Sequence, residues 1–202
     1  MKRVGVLVSG RGSNLQALID AAAANALGGA IAVVVSNVEA APALERARKA
    51  GIPALYRDHR GRKREEFDTE VEALLRGHGV ELVCLAGYMR LLSPTFIRAF
   101  PGRILNVHPS LLPAFPGLDS QRQAWEYGVK VSGATVHLVD EGLDSGAIVL
   151  QEAVPVADGD TAESLAARIL EAEHRLYPRA VRLLLSGRYR VEGRRVLAEA
   201  GA

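Results

Sequence analysis

The sequence predicts an α/β fold: a doubly wound, mostly parallel sheet with helices on both faces and an antiparallel extension in the carboxy-terminal half. Two observations carry this. Across the first hundred residues, short apolar runs that suit strands buried on both faces alternate with amphipathic stretches, and right-handed crossovers join such strands into a parallel sheet. Beyond residue 107 the alternation stops, and two strand-like runs flank a glycine-containing loop.

The elements follow in order. Val4 to Val8 is an apolar strand ending in Ser9-Gly10, and Asn14 to Asn25 is a helix with Leu15, Leu18, Ile19 and Ala22 on one face. Ile31 to Val35 and Pro53 to Tyr56 are strands separated by a helix over Ala41 to Ala50. Glu65 to His78 is a helix that turns Phe67, Val71, Leu74 and Leu75 inward, followed by strands at Val80 to Ala86 and Arg103 to Val107. Met89 to Leu92 has the spacing of a helical turn with core leucines. Val131 to Val139 and Ile148 to Val156 make the antiparallel pair. Thr161 to Leu185 is a long helix opened by a capping-box-like Asp160-Thr161-Ala162-Glu163, with Pro178 a point for a break or kink. The tail, Gly187 to Ala202, holds two short strand-like pieces around Glu192-Gly193. With no repeat, low-complexity stretch or linker, residues 1–202 are expected to form one domain, with a nucleotide-type half over 1–100 and a second half over 101–202.

Composition excludes several classes of function. The 202 residues are 49% hydrophobic, ordinary for a globular chain, and 25 basic residues nearly cancel 23 acidic ones. The pI of about 8.8 therefore does not call for nucleic acid. Arg60 to Arg64 is basic, but Glu65 and Glu66 follow at once, as in a solvated helix start. No apolar run approaches the roughly 20 residues of a membrane span, and Met1 to Val8 is too short for a signal peptide, so a cytoplasmic protein without membrane partners is expected. Cys84 lies in the apolar run Leu82 to Ala86, where it reads as core rather than ligand or nucleophile.

The segment Asn106-Val107-His108-Pro109-Ser110-Leu111-Leu112-Pro113, with Asp144 further on, supplies an amide, an imidazole and a carboxylate. That set suits acyl transfer between amines. An amide donor is worth most where a carbonyl oxygen gains negative charge, and an imidazole can give the departing nitrogen its proton near neutral pH. A carboxylate beside the ring orients it and favours its protonated form. Asn106 is then the oxyanion donor, His108 the acid and Asp144 its partner; two apart on an extended segment, Asn106 and His108 face the same way. The plain alternative is a strand end with a satisfied polar tip. Ser9-Gly10-Arg11-Gly12-Ser13-Asn14, between first strand and first helix, has the form of a phosphate cradle, although it matches neither the dinucleotide fingerprint nor the Walker sequence and a sharp turn would look alike. Val139 to Gly146 is a glycine-bounded acidic loop without the spacing of a calcium loop. His137, on the strand before it, reads as structural.

Four motifs in order, Ser9 to Leu15, Leu85 to Leu92, Asn106 to Pro113 and Val139 to Gly146, resemble those of the folate-dependent formyltransferases, and the likeness runs from Val4 to about Tyr189. The resemblance implies an enzyme that moves the formyl group of 10-formyltetrahydrofolate, a cosubstrate, to the amine of glycinamide ribonucleotide in purine synthesis, without a metal. It implies that Gly12, Ser13 and Asn14 receive the phosphoribosyl part and that Glu173, otherwise a helix-surface residue, lies near the glycinamide end. It makes Met89, Arg90, Leu91 and Leu92 the wall of the pteridine pocket, with Asn106, Asp140 and Glu141 also on the folate. Arg64, in a loop, and Arg90 are placed near its glutamate tail, so that residues 101–202 become the folate-binding and catalytic half. Where family members commonly carry histidine after Pro-Gly-Leu, this chain has Asp119, which with Ser120 and Gln121 also makes a helix start. Relatives that act on a charged tRNA or hydrolyse the formyl group carry an added domain, and a non-catalytic sensor would lack one of Asn106, His108 or Asp144. The expected partners are small-molecule substrates, not nucleic acid or membrane, and the expected state is a monomer or weak homodimer.

Overall fold

Val4 to Val8 forms the buried length of β1 (Arg3–Val8) in the computed structural model, which describes residues 1–199; the tail's last three positions, 200–202, lie outside the described residues. The chain divides into two units, Met1–Asn106 and a second beginning at Val107. In the first, β1 pairs with β2 (Ala30–Ser36) and β4 (Leu82–Leu85), β2 with β3 (Ala54–Tyr56), and β4 with β5 (Ile104–His108), every pair parallel. The order β3-β2-β1-β4-β5 places β1 and β4 side by side where the winding reverses. In open α/β sheets ligands lie beyond the carboxyl ends of the strands at such a reversal. Those ends carry Ser9 to Gly12 and Ala86 to Leu92.

Helices cover this sheet with most of the predicted faces, though Ala22 and Leu74, expected inward, are only half-buried. α1 (Ser13–Ala23) buries Leu15, Leu18 and Ile19, and α2 (Pro42–Lys49) starts at a proline whose missing N–H costs nothing there. α3 (Arg64–Gly77) buries Phe67, Asp68, Val71 and Leu75. Cys84 is core, as its neighbours imply. A short α4 (Pro94–Ala99) was not anticipated, although Ser93 caps it by accepting from the Phe96 N–H at 3.2 Å and Pro94 opens it. The helical turn expected over Met89 to Leu92 is not formed, and Leu91 is exposed rather than core. The reason lies one residue on: Pro94 disfavours helical backbone at Ser93, which is extended (ψ 153°), and the Ser93 N–H is committed to Asp68.

The second unit is built on an antiparallel pair, β6 (Val131–Leu138) and β7 (Ile148–Pro155), in register from Val131↔Pro155 to His137↔Ile148. Gly133 is required here, since a Cβ would stand 2.1 Å from the Glu152 carbonyl. The tail forms a hairpin, β8 (Tyr189–Glu192) and β9 (Arg195–Ala198), turning at Gly193 with β9 beside β7. α5 (Ser120–Tyr127) and α6 (Ala162–Ser186) pack together, and α6 covers β6 and β7. α5 starts directly after Asp119, as expected, but Asp119 has φ 54° and its carboxylate makes no cap; its carbonyl accepts the helical N–H of Gln123. The capping box of α6 also differs, joining Thr161 to Ser164 rather than Asp160 to Glu163. Asp160 instead binds Arg168 through its carboxylate, and its carbonyl accepts from Trp125 Nε1 at 2.7 Å. Pro178 neither breaks nor ends α6. Its cost is outweighed by the buried stripe on both sides, Ala172, Leu176, Tyr177, Ala180 and Val181. No helix among the described residues is long and apolar enough to cross a membrane.

Candidate active site

Gly12 caps α1 with φ 77°, a conformation natural to glycine. A second constraint acts on it: a Cβ would meet Ala43 Cβ at 2.6 Å and Cα at 2.8 Å, so Gly12 also lets α2 approach. The loop is fastened from α2, with Ala43 N–H donating to Gly10 O and Arg46 Nε to Arg11 O at 2.8 Å. Gly10 has open space where a Cβ would stand, and no acidic residue occupies the first turn, which Ser13 and Asn14 open. That helix end is electrostatically suited to an anion.

Across the switch point, Met89 and Leu91 are 66% and 60% exposed although apolar, while Arg90 stacks its guanidinium 4.7 Å from the Phe67 ring centre. The Met89 N–H donates to Ser9 Oγ at 2.8 Å, and the Ser93 N–H to Asp68 Oδ2 at 2.6 Å. Leu92 is half-buried between them in sequence. Burial pushes the Asp68 carboxyl upward, while Ser93, Arg90 and Arg64 pull it back. Arg64 is the first residue of α3 and exposed; it is not in a loop as expected, because the helix begins one residue before Glu65, with Lys63 as its N-cap.

β5 carries Asn106 half-buried and His108 4% exposed. His108 Nε2 lies 2.8 Å from the Phe115 carbonyl, which only accepts, so that nitrogen carries the proton. Nδ1 faces Asp144 Oδ2 at 3.5 Å, long for a hydrogen bond and an ion pair only when Nδ1 also carries a proton. Asp144 is fixed by the Gly117 N–H at 2.8 Å and has φ 48°, a backbone conformation that aspartate tolerates. Its other oxygen faces His137 Nε2 at 3.7 Å, while His137 Nδ1 donates to the Leu138 carbonyl at 2.9 Å. Burial holds the His137 pKa below the ordinary value, against the raising effects of Leu138 and Asp144. The structure thus gives Asp144 two histidine neighbours where one was expected.

The acidic loop organises itself. Asp140 Oδ1 accepts from Gly142 N–H at 3.0 Å and Ser145 Oγ at 2.6 Å, and a Cβ on Gly146 would strike the Leu138 carbonyl at 1.7 Å. Glu141 is exposed beside it, as is Leu143. Glu173 corrects the expectation of a helix-surface residue: it is 5% exposed, on the buried stripe of α6. Its spacing from Ile169, Ala172 and Leu176 gave that signal. The spacing Asp68-Val71-Leu75 likewise marked Asp68 as inward, and alternation from Thr135 marked His137. Nothing in the sequence marked Phe115, whose carbonyl acts through a turn at φ 50°.

This fold and constellation define a class, and the comparisons agree: a family model described as formyl transferase matches residues 2–181, and the chain belongs to that family. More particularly, it is 41% identical to the phosphoribosylglycinamide formyltransferase of Bacillus subtilis over 186 residues, 92% of this chain and 95% of that one. It is 53% identical over 192 residues to the trifunctional purine biosynthetic protein adenosine-3 of Drosophila pseudoobscura pseudoobscura, covering 94% of this chain but only 14% of that protein's length. A crystal structure of glycinamide ribonucleotide transformylase 1 from Symbiobacterium toebii superimposes with a TM-score of 0.96 at 55% identity, covering 98% of this chain and 94% of that one.

Proposed function

We propose that the protein transfers the formyl group of 10-formyltetrahydrofolate to the amine of glycinamide ribonucleotide, giving formylglycinamide ribonucleotide and tetrahydrofolate, a step of purine synthesis. The observation that carries this is His108 set between the Phe115 carbonyl and Asp144 in a chain of the formyl transferase family. The neutral amine attacks the formyl carbon, and Asn106 and His108 donate to the oxygen that becomes negative. The attacking nitrogen gives up a proton, His108 or water delivers one to the folate nitrogen, and the bond from that nitrogen to the formyl carbon breaks. To reach substrate, the Nε2 proton must exchange the Phe115 carbonyl for the reacting oxygen. Asp144 keeps the ring aimed while that exchange occurs, and proximity supplies much of the remaining acceleration.

In this reading residues 1–100 take the nucleotide and 101–202 complete the folate and catalytic half. Gly12, Ser13 and Asn14 receive the phosphate at the α1 end, and Glu173 the glycinamide amine. Met89 to Leu92 wall the pteridine, with Asn106, Asp140 and Glu141 on the folate and Arg64 and Arg90 near its glutamate. The exposed apolar side chains of Met89 and Leu91 support that assignment, since such groups are usually covered when a ligand is bound. Mixing the protein with a 10-formyl folate and following its deformylation, with and without glycinamide ribonucleotide, tests the proposal. Turnover that requires the nucleotide is expected. Nucleotide-independent release of formate would make the protein a deformylase, and no turnover would make it a sensor.

A further inference from the structure

The segment from Ala86 to Ser93 is neither helix nor strand, and main-chain bonds tie it at its ends, Ala86 N–H to the Leu7 carbonyl at the start and Ile97 N–H to the Ser93 carbonyl at the finish. Residues outside it add further ties through their side chains. Near its start, Ser9 donates its own N–H to the Gly87 carbonyl at 3.1 Å and accepts the Met89 N–H on Oγ at 2.8 Å; its hydroxyl proton goes to Asn37 Oδ1. At its end, Asp68 accepts the Ser93 N–H at 2.6 Å and also the Ser93 side-chain hydroxyl. Asp68 is 2% exposed, and an ionisable group is costly to bury unless it is strongly bonded. Arg90, between the two ties, stacks on Phe67, the residue beside Asp68. The side chains so presented, Met89 and Leu91, are apolar and mostly exposed.

We propose that Ser9 and Asp68 are positioning residues for the folate cosubstrate: from the end of β1 and from α3 they clamp the two ends of the Met89–Ser93 segment and preset the apolar wall that the pteridine covers. This rests on the assignment of Met89 to Leu92 to folate. The clamp works by preorganisation, because a wall that had to be ordered at each encounter would spend binding energy on ordering. Neither side chain takes part in the formyl transfer, so the effect belongs in cosubstrate binding and not in the chemical step.

The test measures initial rates with 10-formyltetrahydrofolate varied at saturating glycinamide ribonucleotide, and the reverse, for the wild type, S9A, D68A and D68N. In S9A and D68A the folate KM should rise about tenfold, the equivalent of one lost main-chain tie, while kcat and the nucleotide KM change less than about twofold. D68N retains an oxygen able to accept from Ser93 and should restore most of the folate KM. A fall in kcat at unchanged folate KM is what a smaller folded fraction produces, and it would overturn the proposal. If D68A does not fold, S9A decides alone, and an unchanged folate KM there overturns the clamp. Absence of nucleotide-dependent turnover in the wild type would instead sink the functional assignment itself.

Discussion

His108 donates through Nε2 to a main-chain carbonyl and presents Nδ1 to a carboxylate, so two partners aim its ring before substrate arrives and the carboxylate alone keeps it aimed when the Nε2 proton turns to the reacting oxygen. His108→Ala should cut kcat by roughly 10²-fold or more, the scale of a lost general acid, with both ligands still titrating normally. Asp144→Asn keeps the volume but leaves one oxygen where two served Gly117, His108 and His137. Its kcat should fall at least about tenfold with dissociation constants little changed, and equal activity would remove Asp144 from the aiming of the ring. His137 gives a pH signature. Its folded pKa is depressed by burial, so the unfolded chain binds the extra proton first, and its contribution is whole above the unfolded value of about 6.5 and lost as pH falls below it. Asp144 and Asp140 oppose that shift and His108 adds to it. Chemical melts of His137→Asn should therefore lose less stability than wild type between about pH 7 and pH 5; parallel curves would refute this.

At the scale of elements, Gly12 has two constraints on it, a left-handed φ and the approach of α2. Gly12→Ala should destabilise the fold by about 1–3 kcal/mol even without ligand, measurable by denaturant melts; unchanged stability would return Gly12 to a purely binding role. Pro178→Ala should stabilise α6 by about 2 kcal/mol, restoring a main-chain donor at the expense of some rigidity in the unfolded chain. The strands were legible because β1, β2 and β4 are covered on both faces and spell unbroken apolar runs, a signal that needs no partner to be read. Met89 to Leu92 was misread because leucines at helical spacing also suit an exposed wall, and the tie that decides, Ser93 to Asp68, spans 25 residues. α4 escaped because six residues are too few for a period, though Ser93-Pro94 marks its start. Among candidate site residues, Asn106, His108 and Asp144 were visible by chemical type, whereas the Phe115 carbonyl on His108 has no side-chain signature.

For the whole molecule, the two halves of the proposed reaction make separable predictions in hydrogen exchange. Glycinamide ribonucleotide alone should protect amides of Gly12 to Leu15, and the folate alone those of 87–92 and 140–146; a single shared pattern would argue against two subsites. Trp125 offers an independent view. It is the one tryptophan in the sequence, lies on α5 in the second unit at 39% exposure, and donates to the Asp160 carbonyl just ahead of α6. The protein thus contains its own optical reporter, and that reporter belongs to the second unit. Tryptophan emission will follow the parting of α5 from the start of α6, while circular dichroism follows helices throughout the chain. Superimposable melting curves by the two methods would mean that both units come apart as a single cooperative event, and an emission change that precedes or trails the loss of helix would reveal two.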